Sequence, residues 1–218
     1  MELPAMDWRA WHEKYDSPDS RMSRRLRTVQ DQIRTVLDNS RPGPFQVVSL
    51  CAGQGRDLLE VLTDHPRRSD VRARLVELDG NNTAVAAEFA RANTLDQIEI
   101  VTGDASLTDQ YHGMVPADLV LICGLFGNIS DADIKRTIDT CPQLCAIGGH
   151  VIWTRHRRSP DRVPLICEQF EALGFEQCRL SGDDTELGVG VHRFSGEPQP
   201  LENGRSMFRF VGYDRLAN

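Results

Sequence analysis

Nowhere in the 218 residues is there an apolar run approaching the ~20 residues that a membrane-spanning helix needs, which excludes a membrane partner. The first residues, Met1 to Asp7, lack the basic stretch and apolar segment of a secretory signal, so the cytoplasm is the expected compartment. Positive charge is also short: 25 Lys and Arg stand against 32 Asp and Glu, a net charge of −7. Proteins that grip a phosphate backbone usually carry the opposite balance, so no nucleic-acid partner is expected and a small molecule is favoured. The six cysteines, Cys51, Cys123, Cys141, Cys145, Cys167 and Cys178, include no C-x-x-C pair, and no histidine stands at zinc-ligand spacing. They read as thiols of a reducing compartment, several buried in apolar runs, and no metal site is expected. Internal repeats and low-complexity tracts are absent as well.

The 40% of residues that are apolar suffice for one large core, and the length suits a single α/β domain. Aromatic residues make up only 6% of the chain, yet Trp8, Trp11, His12 and Tyr15 crowd into residues 7–15. Ser17 then reads as a helix cap with Pro18 in the first turn. Met22, Leu26, Val29, Ile33, Val36 and Leu37 follow at helical steps, and 39–44 ends the helix. Residues 1–44 are therefore expected as an N-terminal helical cap on a Rossmann-like domain of residues 45–218, the two forming one domain.

From residue 45 onward, short apolar runs alternate with helical stretches. Strands are expected at 46–50, 73–78, 98–101, 118–123 and 150–154, and helices at 56–64, 82–92, 131–141 and 161–173. Such alternation implies a doubly wound, mostly parallel sheet with helices on both faces. Residues 187–194 and 206–213 are two β-rich runs joined by the Gly- and Pro-containing segment 195–205. With no helix between them they should pair as a terminal antiparallel hairpin.

Ligands of such sheets bind outside the carboxyl ends of the strands. Three stretches qualify. Cys51-Ala52-Gly53-Gln54-Gly55 follows the first strand, with glycines that permit a tight turn and close backbone approach. Asp79 follows the second, 24 residues past Gly55, within reach of ribose hydroxyls. Gly103-Asp104-Ala105 follows the third, where a carboxylate can accept from an adenine amine. Each alone could be an ordinary turn or cap, but the ordered set points to a nucleoside site. Leu58 occupies the position where a dinucleotide fingerprint needs its third glycine, and the loop holds neither a lysine nor a run of extra glycines to cradle a triphosphate.

The order 49–57, then Glu77-Leu78-Asp79, then Gly103-Asp104-Ala105, then 117–124, then 147–152 resembles the class I S-adenosylmethionine-dependent methyltransferases, over about residues 45–213. That resemblance implies a seven-stranded sheet, S-adenosylmethionine as cofactor and S-adenosylhomocysteine as product. It implies that Ala52, Gly53 and Gly55 shape the methionine subsite, Asp79 and Gly80 the ribose subsite, and Asp104 and Ala105 the adenine subsite. The Cys123 carbonyl would lie beside the sulfonium. Two positions depart from the family pattern: Ser49 stands where an acidic residue is usual, and Cys51 where a glycine is usual. The methionine ammonium would then be held through a water on Ser49 or by a residue of the N-terminal segment.

On the acceptor side, Gly127-Asn128-Ile129-Ser130 matches a nucleobase-amine motif only in part. His156, within Thr154-Arg155-His156-Arg157-Arg158, reads as a general base or anion patch, or else as part of a solvated basic loop. His150, His112 and His192 read as structural. His12 and Tyr15 are the other candidate bases, and Trp11, Tyr15, Phe126, Asn128 and Arg155 the candidate acceptor pocket, although the N-terminal aromatics could equally pin that segment to the core. The expected function is methyl transfer to an O, N or C nucleophile of a small molecule, of the kind met in bacterial-type specialised metabolism. A non-catalytic cofactor-binding subunit or sensor fits the same motifs. An NAD(P)-dependent oxidoreductase fits fewer of them, and protein or RNA methylation is disfavoured by charge. The sequence leaves oligomeric state open, a homodimer included.

Overall fold

The computed structural model describes residues 20–182 and 186–211. Helix α1 (Arg21–Asn39) opens on a Ser20 cap whose hydroxyl accepts from Ser23 N at 3.0 Å. The expected cap, Ser17, lies outside the described residues. The helix buries Val29, Ile33, Val36 and Leu37, the stripe read from the sequence. Its carboxyl end is held by Arg67, which donates to Leu37 O at 2.8 Å and to Gly43 O at 3.0 Å.

There follow β1 (Phe45–Leu50), α2 (Arg56–Leu59), β2 (Val71–Glu77), α3 (Gly80–Ala92), β3 (Ile98–Thr102) and β4 (Ala117–Ile122). The chain continues with α4 (Asp131–Leu144), β5 (Cys145–His156), α5 (Val163–Ala172), β6 (Phe175–Leu180) and β7 (Leu187–Phe194). They form one seven-stranded sheet of order β3-β2-β1-β4-β5-β7-β6, antiparallel only where β7 meets β5 and β6. The β1 register, with Val47 opposite Leu119 and Ala73, sets one strand face against α1 to α3 and the other against α4 and α5. Two apolar layers result, one on each side of the sheet, as the near-continuous apolar strands require.

The antiparallel hairpin is present, but its strands differ from those expected. Leu187–Phe194 pairs with Phe175–Leu180, not with residues 206–213. Both edges of β7 are taken, by β5 and β6, so no edge remains for a later strand. Residues 206–208 cross instead to the loop after β3, through a single bridge between Ser206 and Leu107 and a bond from Met207 N to Ser106 O at 2.8 Å. Val211 N then donates to Asn128 O at 2.9 Å. The 206–211 segment is thus a strap running from the β3 loop to the β4 loop. Residues 212–213 of the expected strand lie outside the described residues, and among those described no helix is long and apolar enough to cross a membrane.

Candidate active site

The carboxyl ends of β1 to β4 open into one cleft with an empty volume of about 1150 Å³, counting its solvent-open mouth. Its floor begins where β1 stops. Cys51, Gly53 and Gly55 all adopt positive φ, at 51°, 57° and 67°, so three of five consecutive residues are left-handed. Glycine takes this backbone freely, whereas Cys51 holds it at a cost of roughly 1–2 kcal/mol. Gly55 has a second reason to be glycine: a Cβ there would stand 2.6 Å from Leu75 Cδ2 and 2.9 Å from Leu59 Cδ1. It packs the turn against β2 and α2, while Ala52 and Gly53 line the cleft.

The next carboxylate differs from the one singled out in the sequence. Glu77, the last residue of β2, lines the cleft; its Oε2 accepts from Gly53 N at 2.8 Å and its Oε1 from Asp79 N at 2.9 Å. One side chain therefore ties the first turn to the second. Asp79 is spent as the cap of α3, accepting from Asn81 N at 2.8 Å, and Gly80 is the first residue of that helix. The Asp-Gly-Asn-Asn run after the strand is itself a cap signal, and it identifies Asp79 as the residue turned to local use. Leu78, 71% exposed although apolar, and the buried Asn82 complete this wall.

At the β3 end Asp104 and Ala105 line the cleft. Asp104 Oδ1 accepts from Ser106 N at 2.9 Å, and Tyr111 donates its buried hydroxyl to Ala105 O at 2.7 Å. At the β4 end the wall is Cys123, Gly124 and Asn128; Gly124 N donates to Thr154 Oγ1 and Asn128 Nδ2 to Gly124 O, each at 2.8 Å. The cover comes from distant sequence: Arg25, Leu26 and Val29 of α1, and Phe208 and Phe210 of the strap.

Burial, then the charges of Glu77 and Asp104, push the Cys51 thiol up; burial and then Asp57 do the same to Cys123. Both remain neutral thiols at pH 7, unsuited to nucleophilic attack. Asp57, on the floor at the start of α2, is raised to about 6 by burial, although the Leu58 N–H and the Arg25 guanidinium pull the other way.

The proposed acceptor and base residues are dispersed. Asn128 lines the cleft, but Phe126 is fully buried, its ring 6.2 Å from that of Trp153. Arg155 is buried as well and donates to Phe126 O at 2.7 Å, a tether for the β4 loop. His156 ends β5, with Cδ2 3.6 Å from the point a Cβ on Gly127 would occupy and Nδ1 accepting from Arg158 N at 3.3 Å. Burial, then Arg155 and Arg158, lower it to about 4. Trp11, His12 and Tyr15 lie outside the described residues. Sequence reasoning passed over Arg25, Asp57, Phe208 and Phe210. Helical periodicity marks the apolar stripe of α1 but not which of its arginines overhangs the sheet end, and the strap has the composition of a strand.

A family model described as "Putative methyltransferase" matches residues 19–169. No protein of curated function matches the chain in sequence. Among solved structures, an O-methyltransferase family protein from Burkholderia thailandensis superposes with a TM-score of 0.67 at 16% identity, over 88% of this chain and 61% of its own length. This chain thus spans less than two thirds of that relative. Magnesium protoporphyrin IX methyltransferase from Synechocystis PCC 6803, solved with bound SAM, gives 0.63 at 13% identity over 88% of this chain and 92% of its own. The CurJ carbon methyltransferase gives 0.62 at 14% identity over 78% of this chain and 54% of its own. At such identities the likeness is one of fold.

Proposed function

The chain belongs to this methyltransferase family, and on that premise we propose that it moves a methyl group from S-adenosylmethionine to an oxygen, nitrogen or carbon nucleophile of a small molecule. The observation that carries the reading is Glu77. Its two oxygens are fixed by the Gly53 and Asp79 amides at the edge of the cleft, leaving it oriented to accept from vicinal ribose hydroxyls. Asp79, expected in that role from the sequence, caps α3 and is not among the residues that line the cleft.

The remaining walls fit the same ligand. The left-handed turn of Ala52 and Gly53 brings bare backbone to the floor, where an amino-acid tail would lie. Asp104 can accept from the adenine amine, between the apolar surfaces of Leu78 and Ala105. Bound S-adenosylmethionine supplies a methyl already activated by its positive sulfonium. What the chain adds is position and dryness. Cys123 and Gly124 flank the expected methyl position, Asn128 lies beside it, and Leu26, Phe208 and Phe210 keep water from the approach. His156, held neutral behind Gly127, is ill placed to collect an acceptor proton, so alignment rather than base catalysis is assigned the larger share. The neighbours' names span oxygen and carbon acceptors, so the shared fold does not choose between them.

Calorimetric titration tests this. S-adenosylhomocysteine is expected to bind and raise the melting temperature, because it would bind the folded state alone. Glu77→Ala is expected to weaken that binding about 100-fold, or about 2.7 kcal/mol, the scale of charged hydrogen bonds to two hydroxyls. Binding of a nicotinamide dinucleotide in place of S-adenosylhomocysteine would overturn the reading. Tight binding with no methyl transfer across O, N and C acceptors would replace the enzyme with a sensor or partner subunit.

A further inference from the structure

Resting on that cofactor reading, we propose that a charged pair contributed by two helices, Asp57 of α2 and Arg25 of α1, grips the amino-acid end of S-adenosylmethionine. Asp57 would accept from its ammonium and Arg25 donate to its carboxylate. The need for such a pair starts at Ser49, which stands where the resemblance expects a carboxylate and is itself only 1% exposed within β1. A zwitterionic tail must find one anion and one cation in a site that excludes water, since either charge left unpaired there costs several kcal/mol.

Asp57 and Arg25 line the same cleft, and the guanidinium is close enough to act on the carboxyl. Asp57 Oδ1 accepts from Leu58 N at 2.9 Å, which fixes the carboxyl against the glycine turn. The Cys123 thiol at the end of β4 faces it. Arg25 reaches the same place from above: its Nη1 and Nη2 lie 3.9 and 4.0 Å from the point a Cβ on Gly124 would occupy. Among the described residues Asp57 has no ion pair within 4 Å, and its carboxyl is lifted to about 6, so the charge of Arg25 does not offset its burial. A ligand ammonium would supply the balance. Elsewhere on the wall Glu77 accepts from two amides, Asp104 from Ser106 N, and Arg56 donates to Gln54 Oε1 at 3.0 Å.

The test compares S-adenosylhomocysteine with 5′-methylthioadenosine, which keeps the nucleoside and lacks the amino-acid tail. Asp57→Asn is expected to weaken S-adenosylhomocysteine about 30-fold and Arg25→Met about 10-fold, the range of charge-assisted pairs, with methylthioadenosine changed less than about twofold in each. A second arm needs no variant. The groups facing Asp57 are Arg25 from α1 and the Cys123 thiol from β4, with Arg56 preceding it on α2. A carboxyl with its pKa near 6 must be ionised to bind an ammonium, so wild-type affinity for S-adenosylhomocysteine should fall about tenfold from pH 7 to pH 5 while that for methylthioadenosine stays flat. Equal losses for both ligands in Asp57→Asn, no loss for either, or a flat pH profile for S-adenosylhomocysteine would each overturn the pair. Failure of the wild type to bind either ligand would remove the cofactor reading itself, and the pair with it.

Discussion

The two halves of the sheet are built from similar apolar runs and end in opposite ways. From β3 to β4 the strands are parallel, and each carboxyl end opens into a turn carrying a positive φ, a carboxylate or an exposed apolar side chain: Cys51, Gly53, Glu77, Leu78, Asp104. From β5 to β6 the antiparallel arrangement returns the chain upon itself, and polar groups are turned inward. Trp153 Nε1 donates to His192 Nδ1 at 3.1 Å inside the core, with the Phe170 ring 4.8 Å from His192. Gly188 and Gly190 of β7 leave room for Val163 and Trp153. One half sets its carboxylates along the cleft; the other turns polar groups into the core, where His192 Nε2 and Gln169 Oε1 meet no hydrogen-bond partner among the described residues. Burial acts alike on both halves: it raises the carboxyl of Asp57 to about 6 and lowers the imidazole of His192 to about 4, in each case against the charged form.

Substitutions on either side should separate the halves. The largest effect is expected for Gly190→Ala, whose Cβ would stand 2.3 Å from Trp153 Cε2; displacing that ring should cost about 3 kcal/mol in denaturant unfolding, with S-adenosylhomocysteine affinity unchanged. A comparable loss of affinity would show that the halves are mechanically coupled. His192→Leu should cost about 1–3 kcal/mol at pH 8 by leaving the Trp153 N–H without its acceptor. It should also flatten the acid limb. The folded state keeps His192 neutral down to about pH 4, whereas the unfolded chain takes up the proton near 6.5. Wild-type stability therefore falls as pH drops through that window, by up to roughly 3 kcal/mol, and the variant lacks this contribution. The smallest effect is expected for Phe210→Ala on the cleft side, where the side chain is 43% exposed. Stability should move by less than about 0.5 kcal/mol while S-adenosylhomocysteine affinity falls about threefold, by titration.

How much of this could be read in advance follows the same division. Strands β1 to β5 were legible because buried parallel strands are runs of Val, Leu and Ile between helical stretches, and the glycine turn because its residues are consecutive. The edge strand β6 was not: Glu176, Gln177, Cys178 and Arg179 are all exposed, so no alternation betrays it. The Met207 to Val211 run has the composition of a strand, yet the pairing edges of β7 were already filled. In the cleft, Ala52, Gly53, Asp104, Ala105, Cys123 and Asn128 were found where strand ends put them. Glu77, which lines the cleft two residues before Asp79, is not singled out in the sequence, because both are acids at a strand end and only the cap geometry distinguishes them. Arg25 and Phe208 enter the wall only by docking from afar, which local spacing does not encode.

That docking also sets an order for the growing chain. Gly53 precedes Phe208 by 155 residues, and the strap that carries Phe208 is anchored on both the β3 and β4 loops. A ribosome releasing residues from the amino end makes the α1 part of the cover first, and exposes the glycine turn and its carboxylates long before the strap part is made. Contacts of such sequence separation form late and slowly. A cofactor meeting the nascent chain would find an open shelf; only after the strap emerges does the shelf become a pocket.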